Sequence, residues 1–216
     1  MKRLAVLLSL VAGVALAAQQ PKAKKTPRPR LPGEDWVRLF NGVDLTGWRP
    51  VGQEKWAVEG GAIHGQGVTK EYGYLATEKT YKDFHLFLRF KCDADGNSGV
   101  FFHSTFKDNT PEILGIQAEI DRGVGRHTGG LYGDGKGWIV WPAPENESVI
   151  RPLDWNDMLI RVEGNHIRTR LNGVEMIDFT YPQPVYADGV IALQLHSGGE
   201  GNMWFKDIWI RDLTAR

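Results

Sequence analysis

Gly115-Ile116-Gln117-Ala118-Glu119-Ile120-Asp121 is the stretch of this sequence best equipped for chemistry. On an extended strand successive side chains point to opposite faces, so Gln117, Glu119 and Asp121 share one face and Ile116, Ala118 and Ile120 the other. The apolar face can pack on a core. The polar face, with two acids, is poor core material because a buried charge must be paired or neutralised. It does offer carboxyl groups for proton transfer. A solvent-facing or edge strand alternates in the same way, so the segment alone leaves a structural reading open. In its Gly-rich continuation, His127-Thr128-Gly129-Gly130-Leu131-Tyr132, His127 and Tyr132 suit structural hydrogen bonding as well as ligand contact.

Further candidates come from strand parity. His196 shares a face with Gln194, opposite Leu193 and Leu195, which favours a site over a core histidine. His103 lies on the face of Phe101, opposite Val100 and Phe102, and fits core, rim or site equally. Asn97-Ser98-Gly99 reads as a turn or as the source of an amide donor. His64, His85 and His166 have no polar company and are assigned to structure or surface. Trp48, Trp56, Trp155, Trp204 and Trp209 are expected in the core or between sheets. Glu119, Asp121, Asn97 and backbone carbonyls are oxygen ligands of the kind calcium or magnesium accepts, but no bound ion is expected. No HExxH or paired-Cys spacing points to zinc.

These residues need strands to hold them. Trp36 to Phe40, a hairpin of Trp56–Val58 with Ala62–His64, and Phe84 to Lys91 read as strands. Val100 to Ser104, Gly115 to Asp121, Met158 to Val162, His166 to Leu171, Val174 to Phe179, Val190 to His196 and Met203 to Arg211 continue the series. Asn172-Gly173 is the best hairpin signal, because a type I′ turn needs positive φ at both central residues. No stretch offers a helix of three turns, and there is no internal repeat. The spacing predicts an all-β fold, a sandwich or jelly roll of two antiparallel sheets.

The first residues resemble a secretory signal: Lys2 and Arg3, an apolar run from Leu4 to Leu16, and Ala15-Leu16-Ala17 as cleavage site. Residues 1–17 are read as signal peptide, 18–35 as a Pro/Lys/Arg-rich flexible linker, and 36–216 as a single domain. The protein is expected to be exported, periplasmic or secreted, with no membrane span, since the apolar run is short and no second one follows. Seven of the 26 basic residues and none of the 26 acidic ones precede Leu31, so the remainder carries a formal charge of −7. That balance argues against a nucleic-acid partner. The single cysteine, Cys92, cannot close an internal disulfide and suits a buried apolar position.

Leu39-Phe40-Asn41-Gly42-Val43-Asp44-Leu45-Thr46-Gly47-Trp48 resembles the LFNGxDLxGW opening of the 3-keto-disaccharide hydrolase family. Later landmarks fall in the same order: Tyr81-Lys82-Asp83-Phe84, Asn97-Ser98-Gly99-Val100-Phe101-Phe102, the Gln117/Glu119/Asp121 strand, Thr128-Gly129-Gly130-Leu131-Tyr132, Trp155-Asn156, Leu171-Asn172-Gly173, Leu193-Gln194-Leu195-His196 and Phe205-Lys206-Asp207-Ile208. The resemblance spans about Trp36 to Leu213. Two positions depart from many relatives: Gln117 precedes Glu119, and His103 stands where they carry Arg.

The resemblance implies a concanavalin A-like jelly roll acting on glycosides whose sugar carbon 3 is a ketone. It also implies an oxidised sugar as substrate and a partner sugar 3-oxidase that would make it. A ketone at carbon 3 acidifies the proton on carbon 2, so a base can remove it, the enolate can expel the group on carbon 1, and water can then add. Such a site needs a base, an oxyanion donor and an acid. Under this reading Glu119 and His196 transfer protons, Asp121 orients them or binds a metal, and His103 is an oxyanion donor or second acid. Gln117, Asn97 and Gln194 bind sugar hydroxyls, and Tyr132 or Trp138 stacks on the ring. Two alternatives stand beside it. One is a glycosidase of unoxidised glycans, because Glu119-Ile120-Asp121 resembles the start of the E-x-D-x-x-E strand of family 16 glycoside hydrolases, although the second Glu is missing. The other is a non-catalytic carbohydrate-binding module.

Overall fold

Alternating apolar residues become strands here because each strand can then bury one face against the opposite sheet. The computed structural model describes residues 35–94, 96–108, 110–133, 135–182 and 188–214. The expected signal peptide, and the linker up to residue 34, lie outside the described residues. The strands are β1 (Val37–Arg38), β2 (Trp48–Val51), β3 (Lys55–Glu59), β4 (Ala62–Gln66), β5 (Gly73–Tyr81), β6 (Phe84–Cys92), β7 (Asn97–Phe106), β8 (Ile113–Asp121), β9 (Leu131–Gly133), β10 (Trp138–Val140), β11 (Asn156–Glu163), β12 (His166–Leu171), β13 (Val174–Thr180), β14 (Gly189–Leu195) and β15 (Asn202–Asp212). A short 3-10 helix spans Pro144–Val149.

The first sheet runs β13-β12-β11-β6-β15-β4-β3, with β1 beside β15; the second runs β10-β9-β8-β7-β14-β5-β2. Every pairing among the described residues is antiparallel. Phe84, Leu86, Leu88 and Phe90 of β6 are fully buried. They share one apolar cluster with Val100 and Phe102 of β7, Ile116, Ala118 and Ile120 of β8, and Leu193 and Leu195 of β14. Each large apolar side chain sealed between the sheets contributes roughly 1.5–3 kcal/mol. Asn172 and Gly173 join β12 to β13 with φ of 51° and 89°, as the hairpin signal requires. No described helix is long and apolar enough to cross a membrane.

Some elements differ from the sequence reading. β2 and β5 were not legible. β2 contains Pro50, tolerated because β2 is an edge strand, and the run Glu78-Lys79-Thr80 hides the alternation of β5. Asn97-Ser98-Gly99 is no turn: it opens β7, with Asn97 opposite Asp121 and Gly99 opposite Glu119. Trp48 is buried in the core, but Trp155, Trp204 and Trp209 lie outside it and carry cations. Lys206 Nζ sits 3.8 Å from the Trp155 ring centre, Lys91 Nζ 5.4 Å from that of Trp204, and the Arg38 guanidinium 4.8 Å from that of Trp209. Cys92 is buried, and that burial pushes its thiol up to about 12.

Candidate functional site

β8 lies inside the second sheet and has two buried faces of opposite character. Ile116, Ala118 and Ile120 enter the core, while Gln117 and Glu119, each only 3% exposed, occupy the face turned away from it. Gln117 lies opposite Phe101 on β7 and Tyr132 on β9. Gly99 lies opposite Glu119, and a Cβ there would collide with the Gln117 side chain. Glycine therefore lets Gln117 lie across β7 toward its acidic neighbour.

Glu119 is the centre of this face. Asn97 Nδ2 donates to its Oε1, and Gln117 Nε2 donates to its Oε2 at 2.7 Å and to the Ser98 carbonyl at 3.2 Å. Burial pushes the carboxyl up to about 8; the Asn97 amide opposes that rise, the Asp121 charge adds to it, and the Gln117 amide again opposes it. A carboxyl poised there can both accept and return a proton near neutral pH.

His196 follows the last residue of β14, with its backbone N–H donating to the Asn97 carbonyl at 3.3 Å. Its Nδ1 lies 3.1 Å from the Ser197 carbonyl. A carbonyl only accepts, so this bond assigns the proton to Nδ1 and leaves Nε2 of the neutral ring as an acceptor, 3.3 Å from the Tyr72 hydroxyl. Gln194, also 3% exposed, donates from Nε2 to the Tyr74 hydroxyl at 3.4 Å, and its buried Oε1 has no protein partner. Burial pushes the Tyr74 phenol up to about 12, so it stays protonated and can donate. The segment before Tyr72 is pinned by the buried Glu54 carboxylate, which accepts from Val68 N, Thr69 N and Thr69 Oγ1.

Glu119, its amide partners, Tyr72, Tyr74, Gln194 and His196 line a cleft of about 500 Å³. Asn97, Gln117, Glu119, Gln194 and His196 form its polar part, Tyr132 and Trp138 one wall, and Phe101, Ile113 and Leu114 an apolar end. Asp121 instead lines an adjoining polar recess of about 270 Å³, shared with Asn97 and His196; its Oδ1 accepts from the Gly123 N–H at 2.8 Å. A larger cavity of about 620 Å³ beside β1 and β15 contains the exposed charges Arg38, Glu78 and Lys79 and no buried carboxyl or imidazole among its described residues. Among the described residues no three His, Cys, Asp or Glu side chains gather into a metal-holding group.

The structure thus brings Glu119, His196, Asn97, Gln117, Gln194, Tyr132 and Trp138 to one cleft and sets Asp121 beside it. It does not bring His103 there. His103 sits at a register shift in β7 with φ of 48°, so strand parity fails, and its Nε2 donates to the Lys82 carbonyl at 2.5 Å with the ring against Phe84 and Phe102. Tyr72, Tyr74 and Glu54 escaped the sequence reading. The alternation of Tyr72 and Tyr74 around Gly73 was the one available signal.

A jelly-roll sandwich with a polar cleft on one sheet is a common carrier of sugar recognition. A family model described as 3-keto-alpha-glucoside-1,2-lyase-like domain matches residues 35–211, and the chain belongs to that family. A curated relative from Bacteroides thetaiotaomicron, named 3-keto-disaccharide hydrolase, is 29% identical over 93 residues. That match covers 38% of this chain and spans about a third (32%) of the relative's length. A crystal structure of a candidate glycosyl hydrolase from Parabacteroides distasonis is 26% identical with a TM-score of 0.64, covering 83% of this chain and 100% of that one. The carbohydrate-binding module CBM66 of Bacillus subtilis, at 17% identity and TM-score 0.58 over 77% of this chain and 96% of that one, shares the concanavalin A-like fold.

Proposed function

We propose that the protein is an exported enzyme that cleaves glycosides bearing a ketone at sugar carbon 3, by elimination across carbons 1 and 2 followed by hydration. The observation that carries this reading is Glu119, buried between two amide donors with its carboxyl raised to about 8 at the floor of a sugar-sized cleft. Family membership and the name of the Bacteroides relative support the same chemistry.

Glu119, as carboxylate, takes the proton from carbon 2, and the electron pair moves onto the carbon 3 oxygen. The Tyr74 hydroxyl, which accepts from Gln194 and keeps its own proton, donates to that oxyanion. The pair then returns to re-form the ketone, carbons 1 and 2 become doubly bonded, and the carbon 1–oxygen bond breaks. The leaving oxygen takes a proton from the Tyr72–His196 pair. Water adds to carbon 1 and returns a proton to that pair, while Glu119 gives its proton back to carbon 2, so one water is consumed and every protein group is restored. Gln194 Oε1 accepts from a sugar hydroxyl. Asn97 and Gln117 aim the base, and the Asp121 charge raises its proton affinity. This assignment replaces His103 by Tyr74 as oxyanion donor. A two-carboxylate glycosidase is less well supported, because among the described residues Glu119 is the only buried carboxyl lining the cleft.

The test is to incubate the protein with a 3-keto-disaccharide and with its unoxidised parent, with and without a chelator, following both sugars by mass. The keto sugar is expected to be consumed and its parent left intact. Comparable cleavage of the parent would replace the proposal by a glycosidase, and binding without turnover would replace it by a binding module. Export is checked by fractionation: an N-terminus at Ala18 in periplasm or medium is expected, and an intact chain confined to the cytoplasm overturns that part.

A further inference from the structure

The wall of the cleft does not stop at Trp138. Tyr132, Trp138 and Trp141 form a run of aromatic rings that are 41%, 38% and 58% exposed. Tyr132 and Trp138 lie 5.3 Å apart between ring centres, and Trp138 and Trp141 6.2 Å, both nearly perpendicular. The first two line the cleft, so Trp141 stands one ring beyond it.

This outer ring is built into place. His127 stacks on Trp141 with centres 4.8 Å apart and planes 5° from parallel. The buried Glu147 holds His127 by accepting from its backbone N–H and from Nδ1, each at 2.9 Å. His127 itself adopts φ of 64°, a left-handed conformation unfavourable for a residue with a side chain. One face of Trp141 is therefore covered by a fixed histidine, yet the residue stays 58% exposed. A desolvated carboxylate and a strained backbone are costly means of keeping an indole in water, and neither adds to the core.

We propose that Trp141, backed by His127, is a stacking subsite for a further pyranose ring of the substrate, one ring beyond the catalytic cleft; this rests on the function proposed above. A pyranose offers a face of C–H bonds that suits the negative face of an indole. The Tyr132 hydroxyl and the indole N–H groups supply polar partners that a hydroxylated ring uses and a phenyl ring does not.

The test compares the parent with Trp141→Ala, a change at an exposed position, on a 3-keto-disaccharide, on methyl 3-keto-glucoside and on phenyl 3-keto-glucoside. For the disaccharide KM is expected to rise roughly fivefold or more with kcat little changed, while the methyl and phenyl glycosides keep parental kinetics. Unchanged kinetics on all three, an equal loss on all three, or an effect confined to the phenyl glycoside would each overturn the subsite. If the parent cleaves none of them, the function proposed above fails. Titration of both proteins with the unoxidised disaccharide, followed by tryptophan fluorescence, then decides the subsite: weaker binding by the variant upholds it and equal affinity overturns it.

Discussion

Burial and two amide donors pull the Glu119 carboxyl in opposite directions, and burial wins. Its folded value of about 8 lies above the ordinary 4.5, so the folded state holds this proton more tightly than the unfolded chain. The associated stability is full below about pH 4.5 and is lost as pH rises through about 8. Urea unfolding of the parent is expected to show this loss, on the order of a few kcal/mol, while Glu119→Gln lacks that part of the slope. Equal slopes in the two proteins would remove the buried-carboxyl account. On a 3-keto substrate the same substitution is expected to lower kcat/KM by about 10²–10⁴-fold, and the parental rate should rise with pH toward 8 as the carboxylate forms.

At the scale of elements, the site depends on how closely β7 and β8 approach and on what anchors the segment before β5. Gly99 leaves room for Gln117, so Gly99→Ala must displace a flexible side chain rather than backbone. Stability is expected to drop by about 1–3 kcal/mol, with kcat/KM falling more than tenfold because Gln117 no longer holds Glu119. Activity at the parental level in a folded Gly99→Ala protein would show that Gln117 does not aim the base. Under the proposed function Glu54, whose carboxylate pins Val68 and Thr69 just ahead of Tyr72, is a positioning residue. Glu54→Gln keeps the size but removes one acceptor for the three donors of Val68 and Thr69. Its kcat should fall while the rise of rate toward pH 8 persists, since Glu119 is untouched; loss of that pH dependence would argue for a broader collapse of the site. Strand parity reads such elements well where the backbone is regular: β6, β8 and the β12–β13 hairpin lie where alternation and Asn172-Gly173 place them. It fails at His103, where an irregular register turns the side chain away from the face that counting assigns to it.

At the scale of the molecule, the inner faces of the two sheets supply the stability that lets one outer face hold a polar cleft with a buried carboxyl. Phe90, fully buried between them, should cost about 3–5 kcal/mol when cut to alanine, measured by urea unfolding. Cys92, buried with its thiol pushed up to about 12, should react with a thiol reagent only as fast as the sandwich opens; prompt reaction under native conditions would contradict its placement. The sequence by itself determined the all-β class, the two faces of β8 and the membership of Gln117, Glu119, Gln194 and His196 in a polar set, because period-two alternation is a local property of an extended chain. Only the tertiary structure decided that Tyr72 meets His196 across 124 positions of chain, that Asp121 opens to a neighbouring recess, and that His103 belongs with Phe84 and Phe102. Those outcomes follow from strand pairing, bulges and desolvation, which arise when distant segments are packed together and leave no local pattern to read.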